Sequence, residues 1–128
     1  MIAAALAYPE QIAVSVDVRK GKVAVEGWTA DSDLDAITVA KRFEDAGVAA
    51  LIVTDIDRDG TVMGFNVEAF GAMADAVNIP VIAAGGLATV DDIVRLKARK
   101  GTPIAGAVLG RALYTGNIEA GPALAAAA

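Results

Sequence analysis

Two apolar segments of the chain each end in glycine immediately before a stretch with the composition of a helix. They are Val81-Ile82-Ala83-Ala84-Gly85-Gly86 and Ala105-Gly106-Ala107-Val108-Leu109-Gly110-Arg111. An apolar run bounded by glycine is typical of a parallel strand that is covered on both faces. Glycine at the strand exit lets backbone N–H groups approach a ligand, and the helix start that follows favours an anion. Two such exits on consecutive strands predict a phosphate-binding site on an α/β barrel.

Length and composition narrow the class of protein. The 128 residues are expected to form one domain, residues 1–128, whereas a closed barrel of eight βα units typically needs about 250 residues. The chain contains no Cys and no His. Disulfides and thiolate metal sites are therefore excluded, and acid–base chemistry falls to carboxylates, Lys, Tyr or water. The net charge of −5 argues against nonspecific binding of nucleic acid.

No stretch of the sequence favours a membrane or export. The longest uncharged run, residues 76–90, is too short to span a bilayer and is interrupted by Pro80 and two glycines. The apolar residues 1–8 have no basic segment before them and are followed by Pro9 and Glu10, which argues against a signal peptide. We therefore expect a cytoplasmic protein that binds neither membrane nor nucleic acid. Residues 1–11 are typical of the end of a preceding helix, as though the chain began inside a larger architecture.

Four strand–helix units follow one another along the chain. The predicted strands are Ile12–Asp17, Ala50–Thr54, Pro80–Ala84 and Ile104–Leu109. This order predicts an α/β fold with an all-parallel sheet and right-handed crossovers. A further β-like stretch, Lys22–Glu26, is interpreted as an excursion of the loop after the first strand.

The helices between the strands have recognisable N-terminal signals. Asp92, three residues after Thr89, completes a short capping box. An Ala-rich last helix is expected from about Asn117. The predicted N-caps are, in chain order, Asp31 or Ser32, Asn66, and Thr89.

Candidate functional residues follow from the topology. The carboxyl ends of parallel strands lie at one face of a barrel, and ligands bind there. Asp17, Thr54, Gly85 and Gly110 all occupy such ends. Asp17 closes an apolar strand, where it is either an acid–base group or a carboxylate that caps backbone N–H groups. Its position alone favours neither interpretation.

The loop after the second strand is rich in aspartate. Residues 55–60 have the D-x-D-x-D-G pattern that opens an EF-hand, but the twelfth position is not Glu and the preceding element is a strand. We therefore expect no calcium and no other metal. A solvated turn with Arg58 as counter-ion is the simpler interpretation, and we favour it for Asp57. Thr54 and Asp59 are the better functional candidates.

The remaining candidates would bind substrate. Gly85-Gly86 and Gly110-Arg111 carry the phosphate hypothesis, although glycine also ends strands for purely steric reasons. Trp28 is the single Trp of the chain. A lone Trp is usually part of the core, but in a loop it could stack on a flat heterocycle. Arg19, expected in the same loop, could pair with a second phosphate.

Together these motifs resemble one enzyme family. The segments 17–28 (DVRKGKVAVEGW), 54–61 (TDIDRDGT), 84–86 (AGG) and 110–114 (GRALY) carry the similarity. They resemble the C-terminal half of the phosphoribosylformimino-5-aminoimidazole carboxamide ribotide isomerases of histidine biosynthesis and their bifunctional phosphoribosyl isomerase relatives. The similarity covers essentially the whole chain. The related cyclase subunit of imidazole glycerol phosphate synthase shares the D-R-D-G-T loop but not the G-W ending of the first segment.

The resemblance implies a fold, a reaction and a set of site residues. The family fold is a (βα)8 TIM barrel of two similar halves, so the chain is expected to be a (βα)4 half-barrel. The family reaction is an Amadori rearrangement of an aminoaldose to an aminoketose on a substrate with two phosphates, without metal or organic cofactor. The resemblance implies that Asp17 is a general acid–base group, with Thr54 and Asp59 assisting at the reacting ribose. The substrate-binding residues that it implies are Arg19, Trp28, Gly85, Gly86, Gly110 and Arg111.

Two features of the family pattern fall outside this chain. The other catalytic aspartate and the second phosphate site belong to the N-terminal half. The leading hypothesis is therefore an isomerase half, either a fragment of a full gene product or a subunit that needs a partner half. The alternative is a noncatalytic phosphate-binding half-barrel that self-associates through two open edges, Ile12–Asp17 and Ile104–Leu109. A cyclase-type half is disfavoured by Trp28.

Overall fold

The computed structural model describes residues 2–25, 30–57 and 65–128. Strands and helices alternate after a short first helix. In chain order the elements are α1 (Ile2–Ala7), β1 (Ala13–Arg19), β2 (Lys22–Val25), β3 (Ala30–Asp35), α2 (Ala36–Asp45), β4 (Ala50–Asp55), α3 (Val67–Ala76), β5 (Val81–Ala84), α4 (Val90–Ala98), β6 (Gly106–Val108), α5 (Arg111–Tyr114) and α6 (Ala120–Ala127).

The described strands form one open sheet in the order β3-β2-β1-β4-β5-β6. The pairs β1–β4, β4–β5 and β5–β6 are parallel, which confirms the parallel arrangement of the four predicted strands. The β-like stretch after β1 forms β2, which pairs antiparallel with both β1 and β3. An antiparallel hairpin thus extends the parallel sheet at one side. The sheet does not close within the described residues, and the architecture is that of a partial TIM barrel.

One face of the parallel sheet is covered by helices. Alternate strand residues point to this face, and those of β1, β4 and β5 are buried there: Val14, Val16, Leu51, Val53, Val81 and Ala83. Phe70 of α3 is among the largest fully buried side chains. Burying one such side chain typically contributes about 1.5–3 kcal/mol, so the buried layer is a substantial source of stabilisation.

The other face of the sheet is open. Ser15 on β1 is exposed, and its register partner Ile52 on β4 is only half-buried. Ile52 in turn pairs with the half-buried Ile82 of β5. At the outer strand, 48% of Val108 is exposed. This face corresponds to the interior of a closed barrel.

The helix caps test the local predictions. Asn66 accepts a hydrogen bond from the backbone N–H of Ala69, and Thr89 forms the predicted capping box with Asp92, so both caps are confirmed. The predicted cap of α2 was wrong. Its N-cap is Asp35, whose carboxylate accepts from the backbone N–H of Thr38, 3.0 Å away.

The reason for that error is the hairpin. Asp31 and Ser32, the predicted caps, belong to β3, whose backbone pairs with β2 before the helix can begin. The last helix also differs from its prediction, because α6 begins at Ala120 and the short helix α5 precedes it. None of the helices in the described ranges has the length and apolarity needed to cross a membrane.

Candidate active site

Asp17 and Thr54 are brought together by the sheet. They are direct partners in the parallel register of β1 and β4, and neighbouring strands lie about 4.8 Å apart. By strand alternation both side chains project from the open face, where Ser15 and Ile52 follow one step below. Both residues are half-buried. The structure therefore places a carboxylate beside a hydroxyl at the carboxyl end of two adjacent strands.

Arg19 is the last residue of β1 rather than part of a loop. Its Nε atom lies 3.3 Å from Oδ1 of Asp57. The side chains are 29% and 44% exposed, so water screens the pair and its contribution to stability is small. Arg58, the expected counter-ion of Asp57, lies outside the described residues. Asp57 thus pairs with a cation from the neighbouring strand, and a role for Arg19 at a phosphate stays a prediction.

The end of β4 contacts the strands on both sides. The backbone N–H of Ile56 donates to the carbonyl of Val18, with 3.1 Å between N and O. The N–H of Asp57 donates to Oδ1 of Asp55, 3.2 Å away, in an Asx turn. On the other side, the Asp55 carbonyl lies against Gly85. These contacts fix the backbone around Thr54.

Gly85 and Gly86 are both buried and both have positive φ, +93° and +84°. A Cβ at Gly85 would lie 2.5 Å from the carbonyl oxygen of Asp55, a distance that no side chain tolerates. Steric crowding and backbone conformation therefore explain the glycine at position 85 without a ligand. Whether the turn also binds phosphate stays a prediction.

Gly110 differs from Gly85. Its φ is −111°, and a Cβ there would meet no atom within 4 Å. Local crowding therefore does not explain this glycine. It is the N-cap of the four-residue helix α5, which begins with the exposed Arg111. Because Ala84 pairs with Val108, the two strand exits lie side by side, as the sequence predicts.

Asp92 is a buried carboxylate next to the first glycine exit. The residue is 3% exposed. Its Oδ2 atom accepts hydrogen bonds from the backbone N–H groups of Ala88 and Thr89, at 2.9 and 3.1 Å, and its Oδ1 atom binds the Arg95 guanidinium. Burial raises the pKa of this carboxyl, but the hydrogen bonds from Ala88, Arg95 and Thr89 outweigh it and hold the pKa below its usual value.

The sequence predicted Asp92 only as half of a capping box. The second hydrogen bond, to Ala88, joins it to the turn that follows β5. An acidic residue three positions after an N-cap gives no signal for that contact. Two other predicted site residues, Trp28 and Asp59, lie outside the described residues, so their roles stay predictions.

These observations first define a class. A parallel sheet with helices on one face, and with polar residues at the carboxyl ends of its strands, is typical of βα-barrel proteins that bind ligands at that end. A family model described as "Histidine biosynthesis protein" matches residues 1–119. The chain belongs to this family.

Individual relatives agree with the family. The chain is 69% identical over 125 residues to a phosphoribosyl-imidazole-4-carboxamide isomerase of Caulobacter sp. strain K31, covering 98% of this chain and 52% of the relative. It is 67% identical to the protein of the same name in Caulobacter vibrioides, with the same coverage. With the protein of that name from Chelativorans sp. strain BNC1, the identity is 58% over 92% of this chain and 48% of the relative. The chain thus spans about half the length of the curated relatives it matches.

Proposed function

We propose that the chain supplies one half of an aldose–ketose isomerase whose substrate is a bis-phosphorylated imidazole carboxamide ribotide. The observation that carries the proposal is the Asp17–Thr54 pair at the carboxyl end of β1 and β4. Relatives that share up to 69% of the aligned residues are named isomerases of such a compound. Their names lend no support to the noncatalytic alternative.

The chemistry suits a carboxylate and a hydroxyl. In an Amadori rearrangement the ribose ring opens when its ring oxygen gains a proton, and a proton then leaves C2 to give an enaminol. The enaminol becomes the ketose when its 2-hydroxyl loses a proton and C1 gains one. Each step needs a proton donor or acceptor within hydrogen-bond reach. Asp17 can perform one of these transfers and Thr54 can hold the sugar hydroxyl. The complementary proton transfer requires a second acid–base group, which the partner half provides.

The glycine exits supply the phosphate contact in this proposal. Gly85-Gly86 and Gly110 bring two stretches of backbone close together after β5 and β6. Backbone N–H groups bind phosphate oxygens well, and Arg111 adds a positive charge beside Gly110. One phosphate of the substrate would bind here and the other on the partner half.

The open face and the two sheet edges favour association. The register of β1 with β2 includes only Val18 and Arg19. Along the rest of β1, and along the outer side of β6, the described strands provide no second neighbour. Unpaired edges and exposed apolar surface drive association in water. We propose that a complementary half-barrel covers this face, and that in its absence two copies of the chain associate.

Reconstitution tests the proposal. The chain would be co-expressed with the half of the Caulobacter sp. K31 relative that it does not match, and turnover of the aminoaldose would be followed by chromatography. We expect turnover only with both halves and, in sedimentation at micromolar concentration, a one-to-one complex. The chain alone should sediment as a dimer or larger species. A stable complex without turnover would contradict the catalytic proposal, and a monomer that ignores the added half would contradict the proposal of association.

A further inference from the structure

A single carboxylate oxygen binds the segment between the Gly85-Gly86 turn and α4. Gly86 and the N-cap Thr89 are separated by two residues, Leu87 and Ala88, both of which are buried. Oδ2 of Asp92 accepts from the backbone N–H groups of both Ala88 and Thr89. The connection is therefore held to the first turn of α4.

The same carboxylate takes the place that an external anion would occupy at a helix N-terminus. The N–H groups of Ala88 and Thr89 are already bound to it. Arg95 pairs with Asp92 and, at 3.4 Å from its Nε atom, with the exposed Asp91, so one cation faces two carboxylates and the first turn keeps a negative charge. A phosphate approaching this turn would meet two carboxylates. Any anion bound at this strand exit must therefore contact the glycine backbone that comes before Ala88.

The Gly85-Gly86 backbone is confined from two sides. Gly85 and Gly86 carry no side chains, and glycine adopts many conformations at low cost. The Asp55 carbonyl limits Gly85 from one side. From the other side, the N–H of Ala88 is bound to the buried Asp92 carboxylate. Hydrogen bonds to a buried carboxylate are stronger than those to an exposed one, so this anchor is firm.

We propose that Asp92 is a positioning residue that fixes the Gly85-Gly86 turn in the conformation that binds phosphate. The inference rests on the proposed function, because it assigns the phosphate to this turn. It also makes a separate claim about the free chain, namely that the turn loses its order when the carboxylate is removed. The two claims can be measured independently.

The phosphate claim is tested by titration with inorganic phosphate. We expect the amide signals of Gly85 and Gly86 to shift in the parent chain. Asp92→Asn should raise the dissociation constant about tenfold, because a neutral amide oxygen accepts the two N–H groups more weakly than a carboxylate does, and the amide NH2 would face Arg95. The matched control is Thr89→Ala. It removes the hydroxyl that accepts from the N–H of Asp92 but leaves the Asp92–Ala88 bond in place. Its dissociation constant should stay within twofold of the parent.

Hydrogen exchange without ligand tests the claim about the turn. In Asp92→Asn the amides from Gly85 to Ala88 should exchange at least tenfold faster than in the parent chain. In Thr89→Ala the faster exchange should be confined to the first turn of α4. Equal exchange of the turn in both variants would overturn the positioning role. A parent chain that shows no amide shift with phosphate would instead overturn the phosphate site of the proposed function, and the exchange result would still decide the role of Asp92.

Two further variants separate loss of the carboxylate charge from loss of the fold. Asp92→Glu keeps the charge and should retain the phosphate affinity within about threefold, since Glu also closes a capping box. If Asp92→Asn does not fold, Asp92→Ser removes the carboxylate with a smaller side chain and carries the same expectations. A dissociation constant that is unchanged or lower without the carboxylate would refute the proposal, because Asp92 would then merely compete with phosphate.

Discussion

The two ends of the parallel sheet are stabilised in different ways. At the end where the strands begin, side chains join segments that are distant in sequence. Arg99, after α4, pairs with Asp75 of α3 and donates to the carbonyl of Thr102. The N–H of Thr102 donates to Asp75 at 2.9 Å, and the N–H of Asn78 donates to Glu44 of α2 at the same distance. These contacts hold neighbouring βα units against one another.

At the carboxyl ends of the strands most side-chain hydrogen bonds are local. Asp35, Asn66 and Thr89 each accept from the N–H three residues later and fasten one helix to its own first turn. The Arg19–Asp57 pair joins two segments that are distant in sequence, and it is partly exposed. This end can therefore change its loops and site residues at little cost to the packing between units. The contacts that join neighbouring βα units therefore lie at one end of the sheet and the candidate site lies at the other, as is typical of βα barrels.

The largest expected effect of a single change is on catalysis and falls at the carboxyl end. In the reconstituted complex, Asp17→Asn should lower kcat about 100-fold or more, because the amide cannot exchange a proton at neutral pH. The melting temperature of the chain should change by less than about 2 °C, as for most substitutions away from the core.

The matched control is Ser15→Ala, two residues earlier on the same strand and the same open face. It should leave kcat within twofold of the parent. An Asp17→Asn variant with parental turnover would remove the carboxylate from the mechanism. A variant that failed to fold would show that Asp17 stabilises the fold.

The next effect is on stability and falls at the opposite end. Only 17% of the Arg99 side chain is exposed, so Arg99→Ala loses packing as well as the bonds to Asp75 and Thr102. We expect the melting temperature to fall by about 5 °C, while phosphate binding stays unchanged. Thermal denaturation followed by circular dichroism measures this effect.

Gly71 sharpens the same prediction. A Cβ at Gly71 of α3 would overlap the Arg99 guanidinium. In the parent chain Gly71→Ala should therefore displace Arg99 and gain no stability. In the Arg99→Ala background it should stabilise the helix by about 1 kcal/mol, the usual difference between Ala and Gly. Equal effects in both backgrounds would show that the two residues are not coupled.

A smaller effect is expected for a local cap. Asn66→Ala removes the hydrogen bond to the N–H of Ala69 and should lower the free energy of unfolding by about 1 kcal/mol. Asn66→Asp, which keeps an acceptor, serves as the control. If the alanine variant also weakened the contact between α2 and α3, the helix cap at the carboxyl end would not act only on its own helix.

The smallest effect is the dependence of stability on pH. Hydrogen bonds from Thr102 and Arg99 lower the pKa of Asp75, and those from Thr38 lower the pKa of Asp35. A folded-state pKa below the unfolded value of 3.8 means that this stabilisation is complete above that pH and is lost as the pH falls through the folded value. The melting temperature should therefore decline below about pH 4. Asp75→Asn should reduce that decline, and a decline that began near pH 6 would implicate other groups.

Local signals in the sequence were sufficient for much of the fold. The strand Ala50–Thr54 was predicted within one residue, because an apolar run between polar segments has few other interpretations. The caps Asn66 and Thr89 were predicted from residue type and spacing alone. The cap of α2 was predicted at the wrong residue. Residues 30–35 form β3, so the helix begins only at Ala36. The strand forms by pairing with β2, and a capping motif alone does not reveal that pairing.

The site was predictable only where topology brings residues together. Asp17 and Thr54 follow from the rule that parallel strands end at one face, and their register confirms the proximity. The pairing of Arg19 with Asp57 was not predicted, because it joins the last residue of β1 to the turn after β4, and no local sequence motif links the two. The second role of Asp92 was missed for a similar reason. Its bond to Ala88 depends on how the turn after β5 closes.

The order of the parallel strands also has a consequence for synthesis. β4 pairs with β1, β5 with β4 and β6 with β5, so each strand that leaves the ribosome finds its partner already made. The sheet can therefore grow in one direction while translation continues, as is common when folding begins at the N-terminal side. The last edge to form is β6, with Val108 still exposed. A nascent chain would present this edge to chaperones or to a partner only after the rest of the sheet has formed.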